Sequence, residues 1–271
     1  PDCQSIVKKA IVEKLKQKYK IEWFEETGPR YKIEISLLKD KAVLTIDTSG
    51  AGLHKRGYRK HAGPAPLKET LASAMIMTSR WNENRALIDP FCGSGTIPIE
   101  SALIGNNIAP GLKREFDSEK WGVIHSKLWS RAREEAYDIG NFERKLDISG
   151  TDISEEAVSL SRHHAREAGV DNIIHIQRMD FKDIKSSNKY GFIICNPPYG
   201  ERVGEKQDIK SIYDNIGRVF STLDTWSYYI LSSNLDFERV FGRKANKRRK
   251  LYNGRIQCTY YQFFGPPPHK K

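Results

Sequence analysis

Apolar and polar positions alternate along this chain with two distinct periods. In residues 4–20, QSIVKKAIVEKLKQKYK, Ile6, Ala10, Ile11, Leu15 and Tyr19 fall near helical spacing with lysines between them, predicting an amphipathic helix. The following YKIEISLLKDKAVLTIDTSG, 31–50, alternates on both sides of KDK and reads as two strands joined by a short turn. A helix and a hairpin give too little surface for a secure core of their own, so this front piece is expected to lean on the rest of the chain. GLHKRGYRKHAGPAP, 52–66, reads as a linker, and LKETLASAMIMTSRW, 67–81, as a helix. From residue 86 strands and helices alternate: RALIDPF, GTIPIESALIG, LDISGTDI, SEEAVSLSRHHAREAG, NIIHIQRMDF, GFIICNPP, IKSIYDNIGRVFSTL and WSYYILSS. That order predicts an α/β fold, a doubly wound and mostly parallel sheet covered on both faces. RKLYNGRIQCTYYQFF, with Asn253-Gly254 between strand-like runs, predicts a C-terminal antiparallel hairpin. The segment 105–146 interrupts the alternation as a partly helical insertion. The expected division is therefore 1–60, front piece and linker, and 61–271, main domain.

Composition narrows the class. At 271 residues the chain has room for one large domain plus a smaller piece. It has no apolar run of membrane-spanning length, and no signal peptide is expected. It begins with Pro1, which leads us to expect a fragment or a processed form. Its four cysteines (Cys3, Cys92, Cys195, Cys258) form no CxxC pair, so neither a zinc site nor a disulfide framework is expected and a reducing cytoplasm is the simplest location. Charge is uneven: residues 1–60 carry a net +6, residues 61–238 a net −5, and residues 239–271 a net +10 with no acid at all. Two basic ends around a mildly acidic middle suit a polyanion such as nucleic acid. In RKANKRRK, 243–250, no acid is near in sequence, and Lys247, Arg248 and Arg249 are the candidates for tracking phosphates.

Chemistry-bearing residues gather where the parallel strands end. DPFCGSGT, 89–96, joins the first such strand to its helix through a bend in which Gly93 and Gly95 permit a tight turn and close approach to a ligand. It is not the GxGxxG of dinucleotide enzymes, because Pro98 takes the third glycine position. Asp89 can bind a cationic ammonium group. Asp152, at the end of the second strand, suits the hydroxyls of a ribose; the structural alternative is a helix N-cap, a role Ser154 can take instead. Asp180, after the third strand, has Phe181 beside it, a carboxylate and an apolar ring that suit an adenine. Three acids at three successive strand ends point to a ligand at the carboxyl edge of the sheet.

The fourth strand ends in CNPPYG, 195–200. Consecutive prolines cannot join a sheet ladder and hold the chain stiff. A purine's exocyclic amine is a poor nucleophile because its lone pair is conjugated into the ring. The Asn196 side-chain oxygen and the Pro197 carbonyl offer two fixed acceptors for its two N–H hydrogens, and Tyr199 offers a ring on which an unstacked base can lie. Cys92 and Cys195 are rejected as nucleophiles, since a covalent cytosine mechanism places its Cys after a Pro. His163-His164 reads as a solvated helix face without a metal partner.

DPFCGSGT followed by NPPYG resembles the class I S-adenosylmethionine-dependent amino-methyltransferases of nucleic acids. APLKETLA, DPFCGSGTIPIESA, NIAPGLKREF, EKW and NPPYGER are similar to bacterial guanine-N2 RNA methyltransferases of the 23S ribosomal RNA type that carry a THUMP RNA-binding domain. AVLTIDTSGAGLHKRGYR resembles the closing half of such a THUMP domain, with the earlier part missing. The resemblance implies a Rossmann-like methyltransferase sheet, S-adenosyl-L-methionine as cofactor, RNA as partner and no metal. By motif, Asp89, Phe91, Gly93 and Gly95 would contact the methionine part of the cofactor, Asp152 the ribose, and Asp180 with Phe181 the adenine. Pro90, Ile153 and Asn196 join that set, as do Thr70 and its neighbours Lys68 and Glu69. Asn196, Pro197 and Tyr199 would handle the target amine. Adenine-N6 methylation of DNA or RNA, guanine-N2 methylation of tRNA, and a non-catalytic RNA assembly factor stay open as alternatives.

Overall fold

The computed structural model describes residues 2–59, 67–199 and 206–268, and it divides into two compact units. One comprises residues 1–53 with 114–134, the other residues 54–113 with 135–271.

The first unit holds helix α1 (Asp2–Tyr19) and the antiparallel pair β1 (Lys32–Leu38) and β2 (Lys41–Asp47). Lys39 and Asp40 form the turn with φ of 50° and 59°, the left-handed pair that a tight hairpin needs. Alternation alone predicted these strands, yet most of their apolar residues stay exposed, from Ile33 at 41% to Leu38 at 71%, with Ile35 half-buried. What orders the unit is a set of polar anchors from the inserted segment. Arg114 donates to the carbonyls of Ser49, Ala51 and Gly52. Ser118 donates through Oγ to the Thr48 carbonyl at 2.8 Å. Trp121, buried, stacks on Tyr31 with centroids 4.6 Å apart and donates from Nε1 to the Arg30 carbonyl. The structure thus draws the division elsewhere than at 60/61: the middle of the predicted insertion folds with the front piece, because its side chains close that piece's backbone hydrogen bonds.

The second unit contains α2 (Glu69–Met77), β3 (Leu87–Asp89), α3 (Thr96–Gly105), β4 (Ile148–Asp152), α5 (Glu155–Ala168), β5 (Ile174–Arg178) and β6 (Phe192–Cys195). Then follow α6 (Lys206–Phe220), β7 (Ser227–Ser232), α7 (Phe237–Phe241), β8 (Lys247–Asn253) and β9 (Ile256–Phe263). Helix α4 (Ser126–Asp138) precedes β4 in the chain and crosses the division. The sheet order is β5-β4-β3-β6-β7-β9-β8, with β3 to β7 parallel and the last two strands antiparallel. The chain starts at the centre, winds outward to β5, and returns to β6 on the other side. The edge between β3 and β6 is therefore the topological switch point, where α/β sheets bind ligands.

Period two sorts the core. Leu87, Phe192, Ile194, Tyr229 and Leu231 face one layer with α3 and α5; Ile88, Ile193, Cys195, Tyr228 and Ile230 face the other with α6 and α7. Every residue of β6 and β7 is buried, as expected of strands covered on both faces. Helix α3 is apolar nearly all round, and nine of its ten residues are buried. It is a core helix, not an amphipathic surface one.

Two local expectations shift. The hairpin turn is Gly254-Arg255, because the register pairs Asn253 with Ile256. The second half of RKANKRRK forms the start of strand β8. The segment 54–59, read as linker, is an ordered part of the second unit with Tyr58 buried. The rest of that linker, 60–66, lies outside the described residues, as does Gly200.

Candidate active site

The carboxyl ends of β3, β4 and β6, with the segment after β5, open on a cavity of about 910 Å³. Asp89 ends β3 and is wholly buried, one oxygen accepting the Phe91 N–H at 3.1 Å. Burial pushes its carboxyl well above the ordinary carboxylate range, and the nearby Asp152 adds to this. A cation beside it would reverse that cost, because an opposite charge favours the ionised form.

The two glycines of the bend serve different ends. Gly93 has φ of +51° and open space where a Cβ would stand, and it lines the cavity. Gly95 has φ of +83°, but a Cβ there would lie 2.2 Å from Ser161 Oγ of α5. Gly95 is required by helix packing and does not line the cavity, which corrects its reading as a ligand-approach position.

Asp152 closes β4. Its Oδ2 accepts the Gly93 N–H and its Oδ1 the Ser154 N–H, both at 3.0 Å, so it ties the glycine bend to the next strand. Ser154 caps α5 by accepting the Ala157 N–H. Each carboxylate oxygen keeps a further lone pair for a ligand hydroxyl. Asp180 accepts the Lys182 N–H at 3.0 Å, and Phe181 packs 5.1 Å from Phe91, ring centroid to ring centroid. Pro90, Phe91, Ile153, Asp180, Phe181 and Asn196 all line the cavity.

Other expected residues lie elsewhere. Thr70 and Lys68 are exposed and away from the cavity, while Glu69 is buried against Arg59, 3.0 Å away. A helix start three residues long presents these side chains in three directions, which motif position could not resolve. Leu67, just before them, does line the cavity, as do Thr96, Glu156, Lys182, Ser211 and Ile212. Thr96 closes DPFCGSGT, but Glu156, Lys182, Ser211 and Ile212 belong to no recognisable pattern; only the fold collects them.

At the β6 corner Asn196 is half-buried in the cavity wall, Pro197 is buried, and Pro198 is exposed. Tyr199 is partly buried with its ring against the core, and its hydroxyl donates to Asn196 Oδ1. Burial, with Cys258 alongside, pushes that hydroxyl's pKa up, so it stays a donor. The sequence offered Tyr199 as a ring; the structure adds its hydroxyl as a brace on Asn196. Burial likewise raises the Cys92 and Cys195 thiols well above their usual range, with Asp89 adding to both, so neither is a thiolate nucleophile. Among the described residues no three His, Cys, Asp or Glu side chains gather as metal ligands would, and no helix is long and apolar enough to cross a membrane.

Of the basic trio, Lys247 and Arg248 are exposed and Arg249 is half-buried. Arg248 pairs with Glu238, an acid supplied by α7. The expectation that no acid stands near this run is thereby corrected: folding brings one from ten residues away in the chain.

A doubly wound sheet with this row of acids and a stiff Asn-Pro-Pro-Tyr corner at its switch point is the architecture of a methyltransferase. Residues 56–262 match the UPF0020 family, an RMKL-like methyltransferase domain, and residues 1–47 match the THUMP domain. The chain belongs to that methyltransferase family and carries a THUMP domain. It is 52% identical to YpsC of Bacillus subtilis (strain 168) over 275 residues, covering all of this chain and 71% of YpsC. It is 37% identical to the ribosomal RNA large subunit methyltransferase K/L of Shewanella frigidimarina, covering 87% of this chain and 34% of that protein. The chain thus spans about a third of the K/L relative. The crystal structure of SMU.472 complexed with SAH superposes with a TM-score of 0.91 at 44% identity, covering 98% of this chain and 71% of that one.

Proposed function

We propose that the chain transfers a methyl group from S-adenosylmethionine to the exocyclic N2 amine of a guanine in RNA, with 23S ribosomal RNA as substrate. The observation that carries the reading is the position of Asn196 in the wall of the same cavity as Asp89, Asp152 and Asp180. The cavity fits the cofactor: buried Asp89 has no ion pair among the described residues, Asp152 retains acceptor capacity for hydroxyls, and Phe91 with Phe181 provides an apolar place for an adenine face. S-adenosylmethionine supplies an electrophilic methyl group when bound.

The chain's own part is to prepare the amine. Asn196 Oδ1 has two lone pairs, one taken by the Tyr199 hydroxyl and one free for an amine hydrogen. The Pro197 carbonyl takes the second hydrogen. Drawing both hydrogens to fixed acceptors favours a pyramidal nitrogen with its lone pair released from the ring. That pair would form the new C–N bond as the C–S bond breaks to leave S-adenosylhomocysteine, and the nitrogen would then lose one proton to water. The two hydrogen bonds strengthen as the nitrogen becomes tetrahedral, so they act on the transition state. The prolines keep the acceptors in place before the base arrives. The choice of RNA is supported by the THUMP match, and that of large-subunit ribosomal RNA by the K/L relative's name.

Mass spectrometry of nucleosides from the ribosomal RNA of a deletion strain tests the proposal. Loss of N2-methylguanosine at one site, restored by the gene, is expected. An unchanged guanosine profile with loss of N6-methyladenosine would overturn it.

A further inference from the structure

Residues 54–59 enter the second unit as a strap whose two arginines go inward while Lys55 stays exposed. The Arg59 side chain is 8% exposed, and its guanidinium meets three acceptors: Glu69 Oε2 at 3.0 Å, the Leu67 carbonyl at 2.9 Å and Thr96 Oγ1 at 3.1 Å. Beside it, Glu100 of α3 is 1% exposed and accepts from Tyr58 and Ser73, with Arg56 3.5 Å away. Two carboxylates and two guanidinium groups thus lie in the interior between the strap, α2 and α3. Buried ion pairs seldom stabilise more than apolar side chains of the same shape would. What they supply is a defined geometry. A planar fork with five N–H donors fixes its acceptors at set angles in one plane, whereas a lysine's three donors rotate on a compact ammonium at the end of a flexible stem.

Two of those three acceptors belong to residues that line the cavity, Leu67 ahead of α2 and Thr96 at the start of α3. We infer that Arg59 is a positioning residue for the cofactor cavity, setting the wall formed by Leu67 and Thr96 before the cofactor enters. The inference rests on the reading of that cavity as the S-adenosylmethionine site. Arg59 itself does not line the cavity and acts through the two groups it holds.

Calorimetry with S-adenosylhomocysteine, alongside steady-state kinetics and thermal unfolding, tests this on Arg59→Met, Arg59→Lys and Ser73→Ala. Met preserves much of the volume but none of the fork. Arg59→Met is expected to weaken S-adenosylhomocysteine by about tenfold or more, the scale of lost hydrogen bonds to a charged group. KM for the cofactor should rise with kcat at saturation kept within about threefold, since the loss falls on binding rather than on the transition state. Arg59→Lys should lose affinity as well, although it keeps the charge opposite Glu69. Ser73→Ala loosens the Glu100 half of the cluster and should lower the unfolding temperature with the dissociation constant unchanged. Binding by folded Arg59→Met within twofold of the parent would overturn the inference. So would Ser73→Ala losing as much affinity as Arg59→Met at the same loss of unfolding temperature, for the effect would then be general softening. If Arg59→Met does not fold, Arg59→Lys decides by the same twofold criterion. A parent protein that fails to bind S-adenosylhomocysteine would instead refute the cofactor reading.

Discussion

The two units of this chain are held by different means. In the first, the hairpin leaves Leu37, Leu38, Val43, Leu44 and Ile46 more than half exposed, and its order depends on a few side chains that reach in from residues 114–134. In the second, β6 and β7 contain no exposed residue, and side chains alternate into two apolar layers. Hydrophobic burial is spread over many contacts, so no single one dominates. A handful of polar and aromatic anchors concentrates the same duty in few residues. The cavity and the Asn196 corner stand on the distributed core, where strand ends are fixed to the precision that catalysis requires.

The largest effect expected is on the first unit. Trp121→Ala removes a buried indole stacked on Tyr31 and should destabilise that unit by about 3–5 kcal/mol. Amide hydrogen exchange over 32–47 should accelerate while S-adenosylhomocysteine affinity holds. Equal damage to cofactor binding would break the contrast between the units. In the second unit, Asp152→Ala should weaken the cofactor by about 1–3 kcal/mol, because the Gly93 and Ser154 amides lose their acceptor along with the ligand. Calorimetry that gives the parental affinity would remove Asp152 from the site.

A smaller effect concerns the brace. Tyr199→Phe keeps the ring but deletes the donor to Asn196, and single-turnover methyl transfer should slow by the value of one hydrogen bond, about 0.5–1.5 kcal/mol. A parental rate would return Tyr199 to a ring without a brace. The smallest expected effect is on the basic edge strand. Replacing Lys247, Arg248 and Arg249 together by Ala should reduce the slope of log affinity for RNA against log salt by less than three phosphate contacts' worth, at about 0.7–0.9 each. Arg248 is already engaged by Glu238. An unchanged slope would mean that β8 meets only solvent.

Much of this was readable before folding, and the reasons are local. The β3 to β7 strands declare themselves through apolar runs such as FIIC and SYYILS, and Asp89, Asp152 and Asn196 can be placed because strand ends fix them. What depended on distant pairing was not readable. Gly95 answers to Ser161, Glu69 to Arg59 and Arg248 to Glu238, pairings that no local period specifies. The charged RGYR stretch looked like linker because its composition is that of a solvated loop. Only the buried Glu69 and Glu100 explain why it turns inward.

The central claim is that the corner after β6 clamps an amine. Single-turnover methyl transfer by Asn196→Ala, with RNA and cofactor both saturating, tests it most directly beside a measurement of RNA affinity. The account predicts a rate lower by about 10²–10³, the scale for loss of a preorganised hydrogen-bond partner, with RNA affinity little changed. Turnover at the parental rate would contradict it and leave the two prolines as nothing more than the end of a strand.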